Sequence, residues 1–299
     1  MSTTPDDNVH HDALINFMFD RLPVRGVLAQ LSSEWRELHG LHAYVPTVQA
    51  LLGEAIVANA MIASTMKFDG MVTLQLHGQG SLGMLVTQCN QELQVRGMAG
   101  ELVDGESADD YAAMIGEGRL TMTVDAKDAK DRYQGIVGVE ATSLAGTLRD
   151  YYRDSAQLAA HFVLLSDGAT AAGLMLQRMP DGGEMAADDW HRLCLMADTL
   201  TLDELRVGAS NGLLHKLYAE DDVVAYAARA LSFHCRCSQA RAERAVRMLG
   251  EQDALKLLAE QGDQIEIICE FCNRKRTLDA IDVRRLFDPA GVPSDGGLQ

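Results

Sequence analysis

The sequence predicts an α+β protein, with a core of mainly antiparallel sheet and packed helices, then a helical linker and a small C-terminal module. Short runs of alternating apolar and polar residues, bounded by glycines, recur before residue 180, and this alternation is typical of half-buried strands. Helical apolar patterns follow, and two close cysteine pairs lie near the end. With 299 residues, 47% of them hydrophobic, the chain is long enough for one large domain and one or two smaller pieces.

The first part of the chain is predicted to be helical. Apolar residues recur at helical spacing within residues 11–19, and Ser32 or Ser33 is suited to cap a second helix. Residues 46–66 predict a long helix that is apolar nearly all round, as a buried core helix is, while Gln49, Glu54 and Asn59 argue against a membrane span.

Alternation then indicates a meandering sheet with helices outside it. The predicted strands lie within residues 72–76, 85–87, 93–95, 120–124 and 136–139. Glycines separate several of these runs, as they do at turns and bulges. We therefore expect a core domain over residues 1–180.

Two smaller parts are predicted after residue 180. Residues 181–233 contain three helical patterns with apolar faces but little core, so this linker must pack against a neighbour. Residues 234–288 form the cysteine module, with predicted helices at 238–249, 253–259 and 279–287 and a strand at 265–268. Residues 289–299 are predicted to be a disordered tail.

The net negative charge of the chain limits which kinds of partner it can bind. The formal charge is −17; residues 235–299 carry ten Lys or Arg and eleven Asp or Glu, a net of −1, which leaves −16 on residues 1–234. Such a chain repels nucleic acid and anionic membranes. The first residues lack the features of a signal peptide, and no stretch reaches eighteen uncharged apolar residues. We expect a cytoplasmic protein that binds neither nucleic acid nor membrane.

Four cysteines form the candidate site: Cys235 with Cys237, and Cys269 with Cys272. Two close pairs of thiolates suit a tetrahedral zinc ion, so we predict that these four residues bind one zinc ion in the reduced protein. By spacing alone an inert structural ion is favoured. His234 is interpreted as a surface histidine beside the site. Cys89 and Cys194 are interpreted as small buried apolar groups.

Two further motifs have ordinary explanations. Gly78-Gln79-Gly80-Ser81-Leu82-Gly83 matches a dinucleotide-binding pattern, but a strand-like segment follows where that pattern needs a helix, so we reject a nucleotide site. The run Arg274-Lys275-Arg276 is interpreted as a solvated turn whose charge lowers the thiolate pKa values.

Two alternative functions remain open from the residues alone. Cys-Glu-Phe-Cys permits a thiol-disulfide oxidoreductase, although no helix follows the motif to lower a thiol pKa. A zinc ribbon on nucleic acid predicts salt-dependent retention on DNA or RNA. A switch is also physically permitted, because metal-bound thiolates react readily with oxidants and metal binding contributes on the order of 10 kcal/mol to the folding of small modules.

Several motifs along the chain carry a resemblance to a known family. They are Val24-Arg25-Gly26, Lys67-Phe68-Asp69-Gly70, Arg96-Gly97, Tyr133-Gln134-Gly135-Ile136-Val137-Gly138, Tyr151-Tyr152 with Ser155 and Gln157, Ala172-Gly173-Leu174-Met175-Leu176-Gln177 and the two cysteine pairs. Together they resemble the bacterial redox-regulated heat-shock chaperones of about thirty-three kilodaltons, which are holdases. Ala156, Ala172, Arg276 and Leu278 depart from common family residues, which bears on the activation threshold.

The resemblance implies an α+β core, a linker folded over it and a zinc-binding end domain, with no catalytic turnover. It implies that the reduced, zinc-bound form is inactive. The resemblance also implies that oxidation links Cys235 with Cys237 and Cys269 with Cys272, releases zinc and unfolds the end domain and linker. By the same resemblance, the activated protein is expected to be a homodimer that binds unfolding client proteins without ATP and passes them to ATP-dependent chaperones.

Overall fold

The computed structural model describes residues 11–67, 69–103, 110–126, 133–180, 185–207 and 209–288. The predicted disordered tail, residues 289–299, lies outside the described residues. The chain divides into two compact units, residues 1–234 and residues 235–299.

Sheet 1 of the first unit is antiparallel and has the strand order β10-β1-β2-β9-β8, with β11 also paired to β1. Its strands are β1 (Ala13–Phe19), β2 (Val24–Leu31), β8 (Ala160–Ser166), β9 (Ala171–Arg178), β10 (Val223–Ala225) and β11 (Arg229–Ala230). The last two strands come from the predicted linker, which is therefore not wholly helical.

Sheet 2 has the order β12-β5-β4-β3-β6-β7, and all its pairs are antiparallel except β12 with β5. Its strands are β3 (Gly70–His77), β4 (Met84–Asn90), β5 (Gln94–Ala99), β6 (Gly118–Ala126), β7 (Tyr133–Val139) and β12 (Ser232–Phe233). The five strands predicted before residue 180 all lie in this sheet, and the predicted α+β class with a mainly antiparallel sheet is confirmed.

One long helix joins the two sheets. Among the described residues before the linker, the first unit has four helices: α1 (Ser33–His39), α2 (Pro46–Ser64), α3 (Tyr111–Ile115) and α4 (Leu144–Asp154). Helix α2 is long and apolar enough to cross a membrane, but 72% of its most apolar window is buried inside the protein. It packs against strands of both sheets, so the predicted core helix is confirmed, although it lies between the sheets rather than outside them.

The helix predicted within residues 11–19 is wrong, because this segment is β1. Leu14 is buried in the core shared with α2, whereas Ile15 and Phe17 are buried in a second core on the other face of sheet 1. A strand covered on both faces has no apolar-polar alternation, so its pattern is easily mistaken for a helix. The next helix, α1, begins after Ser32 as predicted. The Ser32 side chain does not cap it; instead the Asp12 carboxylate accepts from the first-turn N–H of Glu34 at 3.2 Å and from the N–H of Ser32 at 2.6 Å.

The predicted linker helices are confirmed as α5 (Ala187–Ala197), α6 (Leu202–Arg206) and α7 (Asn211–Leu217). They share the second core with sheet 1, which confirms that they pack against a neighbour. Tyr218 is fully buried there, with its ring edge-on to Phe19 at 4.9 Å between centroids. The buried linker residues of this core are Leu193, Ala197, Leu200, Leu205, Ala209, Leu214, Tyr218 and Val223.

The second unit is small. It contains α8 (Gln239–Leu249), α9 (Glu251–Glu260), the hairpin β13 (Gln264–Ile268) with β14 (Lys275–Asp279), and α10 (Ala280–Phe287). The three helices and β13 were predicted, and β14 was not. Its core consists of Ala242, Val246, Ala254, Leu258, Ile265, Leu278, Val283 and Leu286. A core this small provides limited stability by itself.

Two motifs of the family resemblance meet in sheet 1. The Arg25 guanidinium donates to the Gln177 side-chain oxygen at 2.7 Å, and Gly26 lies opposite Phe17 in the β1–β2 register. A Cβ on Gly26 would come within 2.0 Å of the Phe17 ring. The glycine therefore provides the space that this buried ring occupies.

Gly26→Ala is expected to destabilise the first unit, because the Phe17 ring must move within a packed core. Overpacking of this kind costs about 2 kcal/mol and lowers the Tm of a domain of this size by about 4–8 °C. Thermal unfolding of the reduced protein measures the shift. Gly138→Ala is the control, since no atom lies within 4 Å of a Cβ there. Equal Tm values for the two variants would contradict the packing argument.

Candidate metal centre

The hairpin of the second unit positions Cys269 and Cys272. Both lie in the turn between β13 and β14, where the Cys269 N–H donates to the Arg274 carbonyl at 3.1 Å and the Asn273 N–H to the Cys269 carbonyl at 2.7 Å. Asn273 has a φ of +52°, a left-handed conformation that asparagine adopts more readily than most residues. The tight turn brings the two thiols to one side of the hairpin end.

Cys235 and Cys237 lie in the extended segment that leads into α8. Ser238 is the N-cap of this helix, and its hydroxyl oxygen accepts from the Arg241 N–H at 3.3 Å. The cap fixes where the helix begins and so fixes the position of Cys237 just before it.

The four thiol sulfurs meet as the spacing predicted. All four Sγ atoms lie within 4.8 Å of one another, with 3.6 Å between Cys235 and Cys269 and 3.4 Å between Cys237 and Cys272. Four sulfurs around a tetrahedral zinc ion at a Zn–S distance of about 2.3 Å are separated by about 3.8 Å. The cysteines are free thiols, and the four-cysteine site fits a metal ion of this kind.

Hydrogen bonds from the surrounding backbone and from one arginine support the sulfurs. The backbone N–H groups of Cys237 and Arg274 donate to the Cys235 and Cys272 sulfurs. Burial raises the pKa of the Cys237 thiol, but hydrogen bonds with Cys272, Cys235 and Arg276 outweigh it, so that its pKa is lowered. Donors around a thiolate favour the charged form that binds a metal.

The interpretation of Arg274-Lys275-Arg276 as a solvated turn is wrong for its last two residues. Lys275 and Arg276 belong to β14, and Arg276 is half-buried. The expected lowering of a thiol pKa is found at Cys237, where a hydrogen bond with Arg276 contributes to it, whereas burial raises the pKa of the Cys235 and Cys272 thiols. Its position depends on the pairing of β14 with β13, which the local sequence did not indicate.

Arg276→Gln is expected to weaken zinc binding, because a positive charge next to four thiolates is lost. The loss of one charge-assisted hydrogen bond corresponds to about a tenfold lower affinity. Competition with a chromogenic zinc chelator measures it. Arg274→Gln is the matched control, since Arg274 contacts the site through its backbone N–H. Equal affinities for both variants would show that the Arg276 charge does not stabilise the site.

The remaining candidates lie outside the four-cysteine site. His234 is not among its ligand atoms, and the His234 N–H donates to the Val95 carbonyl at 3.0 Å. Cys89 in β4 and Cys194 in α5 are buried, as predicted, and burial raises the pKa of each thiol to about 12. Neither thiol is poised to react.

The glycine-rich run has a packing role. It connects β3 to β4 without a helix, and a Cβ on Gly80 would approach the Ala113 carbonyl oxygen to 2.4 Å. The Gly78 and Gly80 N–H groups already donate to the Gly83 and Ile115 carbonyls. Since these amides are occupied, the run does not form a phosphate-binding loop, and the rejection of a nucleotide site is supported.

Most strands of sheet 1 were not predicted from the sequence. The linker helices cover one face of this sheet. Strands β8 and β9 are near-continuous apolar runs. Their length and the turn residues between them are the signals that could have identified buried strands. The linker therefore packs, through the second core, on a sheet whose strands were mostly not predicted.

Comparisons with known proteins agree with one another. The profile of the family described as Hsp33 protein matches residues 12–279. The 33 kDa chaperonin of Chromobacterium violaceum is 38% identical over 285 residues, covering 93% of this chain and 95% of that protein. The 33 kDa chaperonin of Pseudomonas fluorescens strain Pf0-1 is 38% identical over 297 residues, covering 97% and 98%. A crystal structure of the 33 kDa chaperonin from Thermotoga maritima superimposes with a TM-score of 0.80 at 21% identity, covering 92% of this chain and 98% of that one.

Proposed function

Because this chain belongs to the Hsp33 family of chaperones, we propose that it is a redox-regulated, ATP-independent holdase switched by Cys235, Cys237, Cys269 and Cys272. The proposal is supported most by one observation: the four thiols and the apolar surface covered by the linker lie in different units of the chain. The four thiols lie in a small unit with little core, and the linker covers an apolar sheet face in the other unit.

In the reduced protein the four thiols bind one zinc ion. Zinc would supply a positive charge that keeps the sulfurs deprotonated and ties the hairpin turn to the segment before α8. Arg276 and the backbone N–H groups of Cys237 and Arg274 hold the sulfurs in place. This form is inactive as a chaperone because the linker helices cover sheet 1.

Oxidation removes the ligands in pairs. Each pair of thiolates gives two electrons to one peroxide molecule and forms a disulfide, and with two protons the peroxide becomes two water molecules. We propose the pairs Cys235 with Cys237 and Cys269 with Cys272. Since the four sulfurs are mutually close, disulfide mapping by mass spectrometry is needed to test the pairing; bridges between the two motifs would contradict it.

Loss of the zinc ligands is expected to unfold the second unit and to release the linker. Metal binding contributes on the order of 10 kcal/mol to the folding of a small module, so residues 234–288 unfold when the ion leaves. The linker, residues 181–233, then separates from sheet 1 and exposes apolar surface to unfolding clients. We further propose that the active form is a cytoplasmic homodimer that passes clients to ATP-dependent chaperones after reduction.

One experiment tests the switch. Zinc release and suppression of client aggregation are followed in the same sample, before and after peroxide at raised temperature, and again after reductant and zinc are added. We expect zinc to leave as suppression appears, and both changes to reverse. If zinc stays bound, or leaves without any gain in suppression, the four cysteines are structural and the proposal is wrong.

A further inference from the structure

The outer edge of β1 is covered by the linker through backbone hydrogen bonds. The N–H groups of Leu231 and Tyr226 donate to the carbonyls of Asp12 and Asn16 at 2.7 and 2.8 Å, and the Asp20 N–H donates to the Asp222 carbonyl at 2.8 Å. Backbone groups of the even-numbered residues therefore face the linker, while the odd-numbered residues face β2. We call the outward-facing backbone of residues 12–20 the β1 edge.

The linker is an imperfect partner for this edge. Phe17 pairs with Ala225 and Leu14 with Arg229, so two residues of β1 lie opposite three of the linker. This is a β-bulge, which interrupts the ladder. Val224 and Tyr226 are about half exposed. Val223 is buried in the second core, against which Ala225 and Ala228 also pack, and Leu231 is buried in the core shared with α2. The linker therefore binds the edge through its backbone, with Val223 and Leu231 as its buried apolar side chains.

If the β1 edge were exposed, it would pair readily with other extended chains, so it has to be covered in the inactive protein. Strand β1, with the sequence Ala-Leu-Ile-Asn-Phe-Met-Phe, is apolar and carries no charge or proline. Natural proteins protect exposed edges of such strands, because they pair readily with other extended chains. Here the protection comes from a segment that the proposed switch detaches.

We propose that the β1 edge is a client-binding site, where an extended segment of an unfolding protein adds to sheet 1 in place of β10 and β11. The structure already contains this edge with an extended segment on it, which is bound by backbone hydrogen bonds and two buried apolar side chains. Such binding requires free backbone groups and apolar residues in the positions of Val223 and Leu231, and little else of the sequence. These requirements match unfolded polypeptides of varied sequence. The inference rests on the proposed function and specifies its partner surface.

A matched pair of proline variants tests the proposal. Met18 of β1 lies opposite Val224 of β10 in the register of this pairing. Met18→Pro and Val224→Pro each remove one N–H from this pairing, so both loosen the linker, but only Met18→Pro damages the edge itself. After full oxidation, binding of chemically unfolded citrate synthase is expected to be about fivefold weaker for Met18→Pro than for Val224→Pro.

Hydrogen exchange of the unaltered protein provides a second readout that does not depend on the folding of a variant. In the oxidised protein, the Asn16, Met18 and Asp20 amides are expected to exchange quickly alone and at least about tenfold more slowly with unfolded citrate synthase bound. Equal client binding by the two proline variants, or no such protection, would overturn the edge proposal. Protection without client that rises with protein concentration would also overturn it, since a second copy would then occupy the edge. Absence of client binding by the oxidised parent would instead contradict the proposed function itself.

Discussion

Replacing Cys272 with alanine is expected to abolish stable zinc binding and to unfold residues 235–288, while the first unit stays folded. Cys272 is the most buried of the four thiols, and three ligands cannot complete the tetrahedral site. A unit this small rarely gains more than about 3–5 kcal/mol from its core, less than the order of 10 kcal/mol that a structural zinc ion supplies. Zinc content per chain and amide exchange in β13, β14 and α8 measure the effect.

Cys194→Ala is the control for this prediction, because it removes a buried thiol outside the site. It is expected to retain one zinc ion per chain and a protected second unit. If the Cys272→Ala variant keeps the amides of β13 and β14 protected without zinc, the eight-residue core is sufficient and the metal does not hold the unit together.

Leu193→Asp is expected to activate the chaperone without oxidation. Leu193 is fully buried between α5 and sheet 1. Loss of its apolar contacts together with burial of a charge costs about 3–5 kcal/mol. The linker avoids this cost by separating from the sheet, so the reduced, zinc-loaded variant is expected to suppress client aggregation. Suppression is measured under reducing conditions, together with zinc content.

Leu195→Asp is the matched control. Leu195 lies on the same helix two residues further on, but its side chain is 53% exposed, so the same substitution is expected to leave the linker in place. If reduced Leu193→Asp is as inactive as reduced Leu195→Asp while its linker amides exchange freely, linker release is not sufficient for holdase activity.

The sequence predicted the parts of this molecule whose patterns are local. The pairs Cys235 with Cys237 and Cys269 with Cys272 indicated the four-cysteine site by spacing, and the structure brings their sulfurs together. Strands β3 and β6 were predicted because they alternate apolar and polar residues. Helix α2 was predicted because residues 46–66 are apolar nearly all round, as in a buried core helix.

Features that depend on tertiary contacts were not predictable in this way. Strand β1 is buried on both faces, which removes the alternation that would have identified it. Strands β10, β11 and β12 have only two or three residues each, too few to show a period, and they form because the edges of β1 and β5 are available. Arg276 reaches Cys237 only after β14 pairs with β13.

Cys194 can report directly whether loss of the metal site releases the linker from sheet 1. This thiol lies on α5 and is 9% exposed, whereas Cys89 in β4 is fully buried in the core and provides an internal standard. Alkylation or oxidation of each thiol is counted by peptide mass spectrometry while zinc release is followed after peroxide. We expect Cys194 to be modified in step with zinc loss while Cys89 stays protected. A Cys194 that remains protected after zinc has left and client binding has begun would contradict it.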